Sequence, residues 1–491
     1  MTHWMAKLAS HYAQMRQKYA EDQLLIVFDI DGTMLDLRYM MLHVLQNYDR
    51  QHGSEYFRTL ALADIDVHEH VIDTLLARFA LPEQAHAEIE QWYRAHYWST
   101  ETIDVSHYAY PGVMEIIRWF QMQPHTYVGL NTGRYEVLRT DTLRSLNKLG
   151  ENYQVQFADE RLVMRPDDWA ASLSARKVEG IQHFQALGYR VFAFVENEPA
   201  NLAAVATLHD EEILLMHPDT IYLSDLAELP PNTVQGTEYE LTAFVTEQML
   251  PTQLQLVWHG VNDPLNLRQF VSSSIEWAEF DVNLDPTGQA LILRHDTFAE
   301  RAQTEAEVWL SLEEALTHAC RWGKSAKLDF KIGGHWIEQT LALVEKFNFS
   351  PQHLWFNGDV EILDEAHVRQ LAAIYPAAII QIPISFLRPL VNQPTALRRQ
   401  IEQYRAWGIN RFSVAWGRPE MHALFKLLNE WQCAVNLYAI PDHKAFLQAV
   451  LWTPRSITCD FNFPQWGYYG RGSGHQALYH RYSVQTEPSF L

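Results

Sequence analysis

Cysteine is scarce in this chain: three thiols in 491 residues, Cys320, Cys433 and Cys459. They are widely spaced and make no Cys-x-x-Cys pair, which points to a reducing compartment and a cytoplasmic location, each thiol reading as a small buried hydrophobe. Positive charge is also short. Lys and Arg number 38 against 60 Asp and Glu, a net charge of −22, which argues against a nucleic-acid binder resting on basic contacts to phosphates. No run of about twenty apolar residues exists, so no membrane span is expected. Met1 to Asp22 carries charges throughout and lacks an apolar h-region, so it is not expected to act as a signal peptide. There is no short-period repeat and no low-complexity segment. What remains is an ordinary globular composition, 47% hydrophobic and 20% charged, with length for two or three domains.

The chain is organised around Leu24-Leu25-Ile26-Val27-Phe28-Asp29-Ile30-Asp31-Gly32-Thr33. An unbroken apolar run bounded by Asp and Gly reads as a strand buried on both faces, as in a parallel sheet. Open α/β sheets place ligands at such strand ends. Asp29 and Asp31 both fall at that mouth, with Ile30 pointing away. Two carboxylates so close repel unless a cation intervenes, and Mg²⁺ held by oxygens suits them. Residues 3–20 read as an amphipathic helix, and residues 37–108 have helical spacing with few strand-like runs. A second apolar run, Tyr127-Val128-Gly129-Leu130, ends in Asn131-Thr132-Gly133-Arg134. A hydroxyl followed by backbone N–H groups there can bind an oxyanion. Ser174-Ala175-Arg176-Lys177 opens a helix, and the strand Arg190–Val195 ends in Glu196-Asn197-Glu198-Pro199-Ala200-Asn201.

In this order the motifs resemble those of the haloacid dehalogenase (HAD) superfamily: Asp-x-Asp-Gly-Thr, a strand ending in Thr-Gly, a Lys at a helix start, and an acidic cluster after a later strand. The resemblance covers roughly residues 20–225. It implies a Rossmannoid α/β domain over 1–225, with its core at 20–36 and 109–225 and a helical cap at about 37–108 over the site. It further implies that Asp29 attacks phosphorus, that Asp31 is the general acid/base, and that Thr132 and Gly133 bind the phosphoryl group. Lys177 would neutralise charge there, with Arg176 as the competing candidate. Mg²⁺ would be held by Asp29, Asp31, Glu196 and Asn197. The family's usual fourth motif is Asp-Asp or Gly-Asp with Asp or Asn four residues on. Here Asn197 and Asn201 keep that spacing, and Glu196 supplies the nearest charge.

Pro230-Pro231-Asn232 marks a linker over 226–250. Strands and helices alternate beyond it. Candidate strands are 254–258, 277–282, 290–294, 326–331, 353–357, 378–382, 411–415, 433–438 and 456–460, which suits a (β/α)₈ barrel over 251–491. Polar residues gather at the strand ends: His259 and Asn262, Glu279 and Asp281, His295 and Asp296, Asp329 and Lys331, Asn357 and Asp359. Glu279 and Asp281, two apart, face the interior together, an arrangement that is costly without a cation. The aromatic stretch Phe463–Gly470 reads either as pocket lining or as a barrel plug.

This second set resembles the phospholipase C-like, glycerophosphodiester phosphodiesterase barrels, whose pattern is His-x-Gly, Glu-x-Asp, His-Asp and Glu-x-Lys. The chain gives His259-Gly260, Glu279-Phe280-Asp281, His295-Asp296 and Asp329-Phe330-Lys331. Its wording is closer still to the menorin family of the same barrel superfamily. The resemblance implies that Glu279, Asp281 and Asp329 hold Mg²⁺ or Ca²⁺. His259 and His295 would be acid and base about a phosphodiester, and Lys331 a fixed positive charge for the phosphate. The joint expectation is a two-domain, metal-dependent phosphoesterase of α/β class acting on a small phosphorylated substrate. The alternatives are a binding or scaffold protein with one or both sites inactive, and a nucleic-acid end-processing phosphatase.

Overall fold

The computed structural model describes residues 4–168, 172–224, 228–245, 250–305, 307–418, 420–459, 461–462 and 468–469. The chain divides between Phe244 and Val245 into two compact units. Among the described residues no helix is long and apolar enough to cross a membrane.

The first unit is built on one parallel sheet. Its strands are β1 (Leu24–Phe28), β2 (Thr126–Tyr135), β3 (Leu162–Arg165), β4 (Arg190–Val195), β5 (Leu214–Pro218) and β6 (Val234–Gly236), in the spatial order 3-2-1-4-5-6. β1 lies at the centre, every residue buried, flanked by β2 and β4 in parallel register. An all-apolar run is what a strand covered on both faces requires. Two strands differ from expectation. β2 does not end ahead of Thr132-Gly133; it continues to Tyr135, with an irregular register against β3 between Asn131 and Tyr135. Val234–Gly236, inside the stretch expected to be a linker, is the sixth strand of the sheet. The segment after it returns to the core: Tyr239 is buried, stands against Trp4 and donates to the Thr33 carbonyl at 3.0 Å. Double proline ends one excursion of the chain but does not end the unit.

Residues between Arg38 and Ser106 form helices, at Arg38–His52, Ile72–Leu76, Glu83–His96 and Thr100–Ser106. They enclose an apolar cluster of their own that includes Leu45, Phe57, Leu76, Ile89 and Ile103.

The second unit is a closed barrel. β7 (Gln255–Trp258), β8 (Trp277–Leu284), β10 (Ser325–Phe330), β11 (Leu354–Gly358), β12 (Ile379–Pro383), β13 (Arg411–Ala415), β14 (Val435–Ile440) and β15 (Ser456–Cys459) pair in parallel in that order, and β15 closes on β7. Helices at Pro264–Val271, Leu312–Arg321, His335–Lys346, Glu365–Ile374, Pro394–Trp407, Met421–Glu430 and His443–Leu451 alternate with them. The third expected strand is not in the ring. β9 (Leu291–Leu293) folds back antiparallel on the outer end of β8, pairing Leu293 with Val282. A turn at Asp285, whose carboxylate accepts from the Gln289 and Ala290 N–H groups, makes that reversal. Of Phe463–Gly470, only the backbone of Tyr468–Tyr469 is described, so its role as lining or plug lies outside the described residues.

Candidate active sites

Asp29 follows β1, its N–H held by the Val195 carbonyl of β4 at 2.9 Å. Next to it the chain must reverse. Gly32 has φ +76°, and a Cβ there would lie 2.2 Å from Asn197 Nδ2, so both conformation and space call for glycine. The reversal keeps Asp29 and Asp31 at the mouth of the sheet.

Lys177 enters from the first turns of helix Leu173–Ala186, whose N-cap Ser172 accepts from the Ala175 N–H. Its ammonium is buried. It donates to Asp29 Oδ1 and to the Asn131 carbonyl (2.6 Å) and stands 2.9 Å from Glu196 Oε2. Arg176, the competing candidate, turns away to the Met164 carbonyl and Glu179. Burial raises Asp29, and neighbouring Glu196 adds to the rise; burial raises Glu196 too. Burial would lower Lys177, but Asp29 and Glu196 hold it above its ordinary value. Two buried carboxylates thus share one ammonium, an excess of negative charge.

Asp31 has a separate partner. Arg134 Nη2 and Nε donate to its two oxygens at 2.6 and 2.7 Å. The guanidinium is fully enclosed, bonded also to Thr142 and to His107 and stacked over Trp98. Bidentate pairing of this kind fixes orientation as well as charge. Gly133 and Arg134 line the cavity beside Asp29, whereas the Thr132 hydroxyl accepts from the Arg134 N–H at 3.2 Å. Asn197 is occupied with the loop: its Oδ1 accepts from Thr33 and its Nδ2 donates to the Ile221 carbonyl. Asn201 accepts from Ser174. The cavity measures about 540 Å³, and its far wall comes from the helical segment through His68, Glu69, His70 and Trp98.

Asp29, Asp31 and Glu196 do not bring three oxygens within 4.8 Å of one another. Asp29 and Glu196 are buried and Asp31 is half-buried, and an all-carboxylate donor set of this kind suits an oxygen-coordinated divalent cation by its chemistry. The amide of Asn197 does not, because both its ends hold the loop.

The barrel brings its carboxylates closer. Lys327, Asp329 and Phe330 of β10 stand opposite Glu279, Asp281 and Val282 of β8. One oxygen each from Glu279, Asp281 and Asp329 lies within 4.8 Å of the others. Lys327 Nζ is 3.1 Å from Glu279; Lys331 Nζ is 3.1 Å from Asp281 and 2.6 Å from Asp329. A chain of amides continues the layer, Gln381 donating to Asn357 (2.7 Å) and Asn357 to Asp329 (2.6 Å). Asn262 and Asp281 bond reciprocally, side chain to side chain and Asp281 N–H to Asn262 Oδ1. Burial would raise Asp281, but Lys331, His295, His259 and Asn262 hold it well below the usual carboxylate range. Burial raises Glu279 against the pull of Lys327 and His259. Burial would lower Lys331, yet Asp281 and Asp329 hold it well above its ordinary value.

The β9 reversal places His295. The Arg294 N–H donates to the Asp281 carbonyl at 2.8 Å, which brings the next residue beside the carboxylates. His295 Nδ1 is 2.8 Å from Asp296, itself held by Arg301 at 3.0 Å. The Asp296 carboxylate at Nδ1 fixes the orientation of the His295 ring. Three buried carboxylates converging in this way fit an oxygen-coordinated divalent cation.

Two kinds of solved structure resemble this chain. A glycerophosphodiester phosphodiesterase from Parabacteroides distasonis is 14% identical over 42% of this chain and 92% of its own, with a TM-score of 0.31. A phosphodiesterase from Oleispira antarctica, in complex with the product sn-glycerol-3-phosphate, is 18% identical over 43% and 93%, TM-score 0.31. A hydrolase of the haloacid dehalogenase-like family from Streptococcus pneumoniae is 15% identical over 43% and 93%, TM-score 0.27. No protein-family model matches the chain. No curated protein matches it.

Sequence reasoning gave no role to Arg134, Lys327 or the Asn357–Gln381 pair. Arg134 had a visible signal, its place directly after Thr132-Gly133. Lys327 had one too, sharing a strand face with Asp329 two residues on. Gln381 had none, since its position in the layer depends on the register of β11 with β12, where Asn357 stands opposite it.

Proposed function

We propose that the chain is a two-site phosphoester hydrolase, with an Asp-nucleophile phosphomonoesterase in the first unit and a phosphodiesterase in the barrel. The observation that carries this reading is Asp29: a buried carboxylate at the end of a central parallel strand, facing a cavity and gripped by an equally buried lysine. In the first unit Asp29 Oδ attacks phosphorus and the ester oxygen leaves, taking a proton from Asp31; water then cleaves the aspartyl-phosphate, its proton going to Asp31. Lys177 balances charge on Asp29 and the phosphoryl oxygens, and Gly133 and Arg134 border the place the phosphoryl group takes. In the barrel His295, oriented by Asp296, takes a proton from the water that attacks phosphorus, and His259 gives one to the leaving ester oxygen. Lys331 holds Asp281 and Asp329 in place, and Lys327 holds Glu279. Divalent cations, Mg²⁺ in the first site and Mg²⁺ or Ca²⁺ in the second, would neutralise phosphate charge when bound. A small phosphodiester cleaved in the barrel yields a monoester of the kind the first site hydrolyses.

The test is a screen of phosphomonoesters and phosphodiesters on the full chain, with and without Mg²⁺. Turnover of both classes supports the reading; turnover of neither, at saturating Mg²⁺ or Ca²⁺, overturns it.

A further inference from the structure

One group facing the first cavity has no part in this chemistry. His68-Glu69-His70 forms a tight turn ahead of helix Ile72–Leu76 and lines the cavity opposite Asp29. Glu69 is 7% exposed, and its Oε2 receives no hydrogen bond among the described residues. The nitrogen facing it, His68 Nδ1 at 3.0 Å, itself accepts from the His70 N–H at 3.2 Å. Glu69 Oε2 and His68 Nδ1 thus offer two donor atoms 3.0 Å apart, the oxygen buried and without a hydrogen-bond partner among the described residues, a spacing that a bound cation can bridge. The other nitrogen of His68 stands 3.5 Å from Glu198 Oε1. A carboxylate in that place is the usual outer partner of a metal-bound imidazole, fixing its tautomer. The His70 ring lies 5.0 Å from that of His68, and one donor atom from each of the three residues lies within 4.8 Å of the others.

We propose that His68, Glu69 and His70 bind a transition-metal ion of the Zn²⁺ type on the cap side of the cavity. Two imidazoles and one carboxylate, with the cavity as the open side, match the ligand set of open zinc sites. Nitrogen donors select such an ion over Mg²⁺, which prefers oxygen. Glu198 gives the ion a second consequence. Its carboxylate also accepts from the Leu223 and Ser224 N–H groups at 2.6 and 3.0 Å, so a metal on His68 is joined through Glu198 to the sheet's own loops. This inference does not depend on Asp29 chemistry.

The test uses Co²⁺ as a visible probe, titrated into the full chain in excess Mg²⁺, which occupies all-oxygen sites. The expected result is the ligand-field absorption of a four-coordinate, nitrogen-ligated Co²⁺, displaced by one equivalent of Zn²⁺. The double variant His68→Ala/His70→Ala loses it, and the conservative Glu198→Gln weakens Co²⁺ binding ~10-fold or more. Asp29→Asn and Glu279→Gln leave the spectrum in place. Absence of the band in the unmodified chain, its persistence in the double variant, or its loss with Asp29→Asn would each overturn the proposal. Because the readout is binding, failure of the phosphatase reading shows separately, as absent turnover in a chain that still binds Co²⁺.

Discussion

Arg134 holds both oxygens of Asp31 from inside the protein, with no solvent on its own guanidinium. Removing it leaves the carboxylate without its orienting partner. Arg134→Met should therefore lower phosphomonoester turnover by ~10²–10⁴-fold, the range of a lost general acid/base; steady-state kinetics check it, and a variant with unchanged kcat would show that Asp31 needs no such anchor. Lys327 has the same relation to Glu279. Lys327→Met should cost about 3–5 kcal/mol, because one buried charge is left unpaired. Added Mg²⁺ or Ca²⁺ should restore part of that loss in a urea melt, by mass action on the folded state. A third residue reports on pH. Lys18, Tyr19 and Arg190 surround Glu212 and hold its pKa down to about 2, the hydrogen bond from Lys18 leading. A depressed carboxyl stabilises the fold above its unfolded value of about 4.5, and that contribution fades as pH falls from there towards about 2. Glu212→Gln should cost about 1 kcal/mol at neutral pH, the screened value for partly exposed pairs. In urea melts its deficit should shrink below about pH 4.5; a deficit constant with pH would refute the assignment.

At the scale of elements, the loop Asp29–Thr33 is fixed by backbone geometry as much as by side chains. The Gly32 carbonyl accepts from Thr220 at 2.6 Å and the Thr33 carbonyl from Tyr239. Gly32→Ala should destabilise the first unit by about 1–3 kcal/mol, the cost of a strained positive-φ residue, and reduce monoester turnover; a thermal melt with no shift would mean the loop yields. Much of this architecture was legible. A short all-apolar run bounded by turn residues reads as a buried parallel strand, and β1, together with β4 beyond Arg190, follows that rule. Strand length past a Thr-Gly was not legible, because β2 continues on the strength of pairing with Arg165 of β3. Nor was the placement of β9, whose three apolar residues look like any short barrel strand. Its antiparallel return depends on the Asp285 turn. Val234–Gly236 was hidden for a similar reason: three residues beside a double proline carry no periodicity to read.

At the scale of the molecule, each unit gathers an acidic site of different construction. In the first, Asp29 and Glu196 share Lys177 while Asp31 has Arg134 to itself; in the second, three carboxylates converge on two lysines. Motif spacing in the sequence brought most of these residues to notice, but which cation faces which carboxylate depends on tertiary register. The central claim is that two independent phosphoester sites share the chain. It is tested most directly by measuring monoester and diester turnover side by side on the full chain, on Asp29→Asn and on Glu279→Gln. The account predicts that Asp29→Asn abolishes monoester turnover and leaves diester turnover at its original rate, because an amide cannot form the acyl-phosphate. Glu279→Gln should do the reverse. Loss of both activities in either variant, or wild-type monoester turnover in Asp29→Asn, would contradict it.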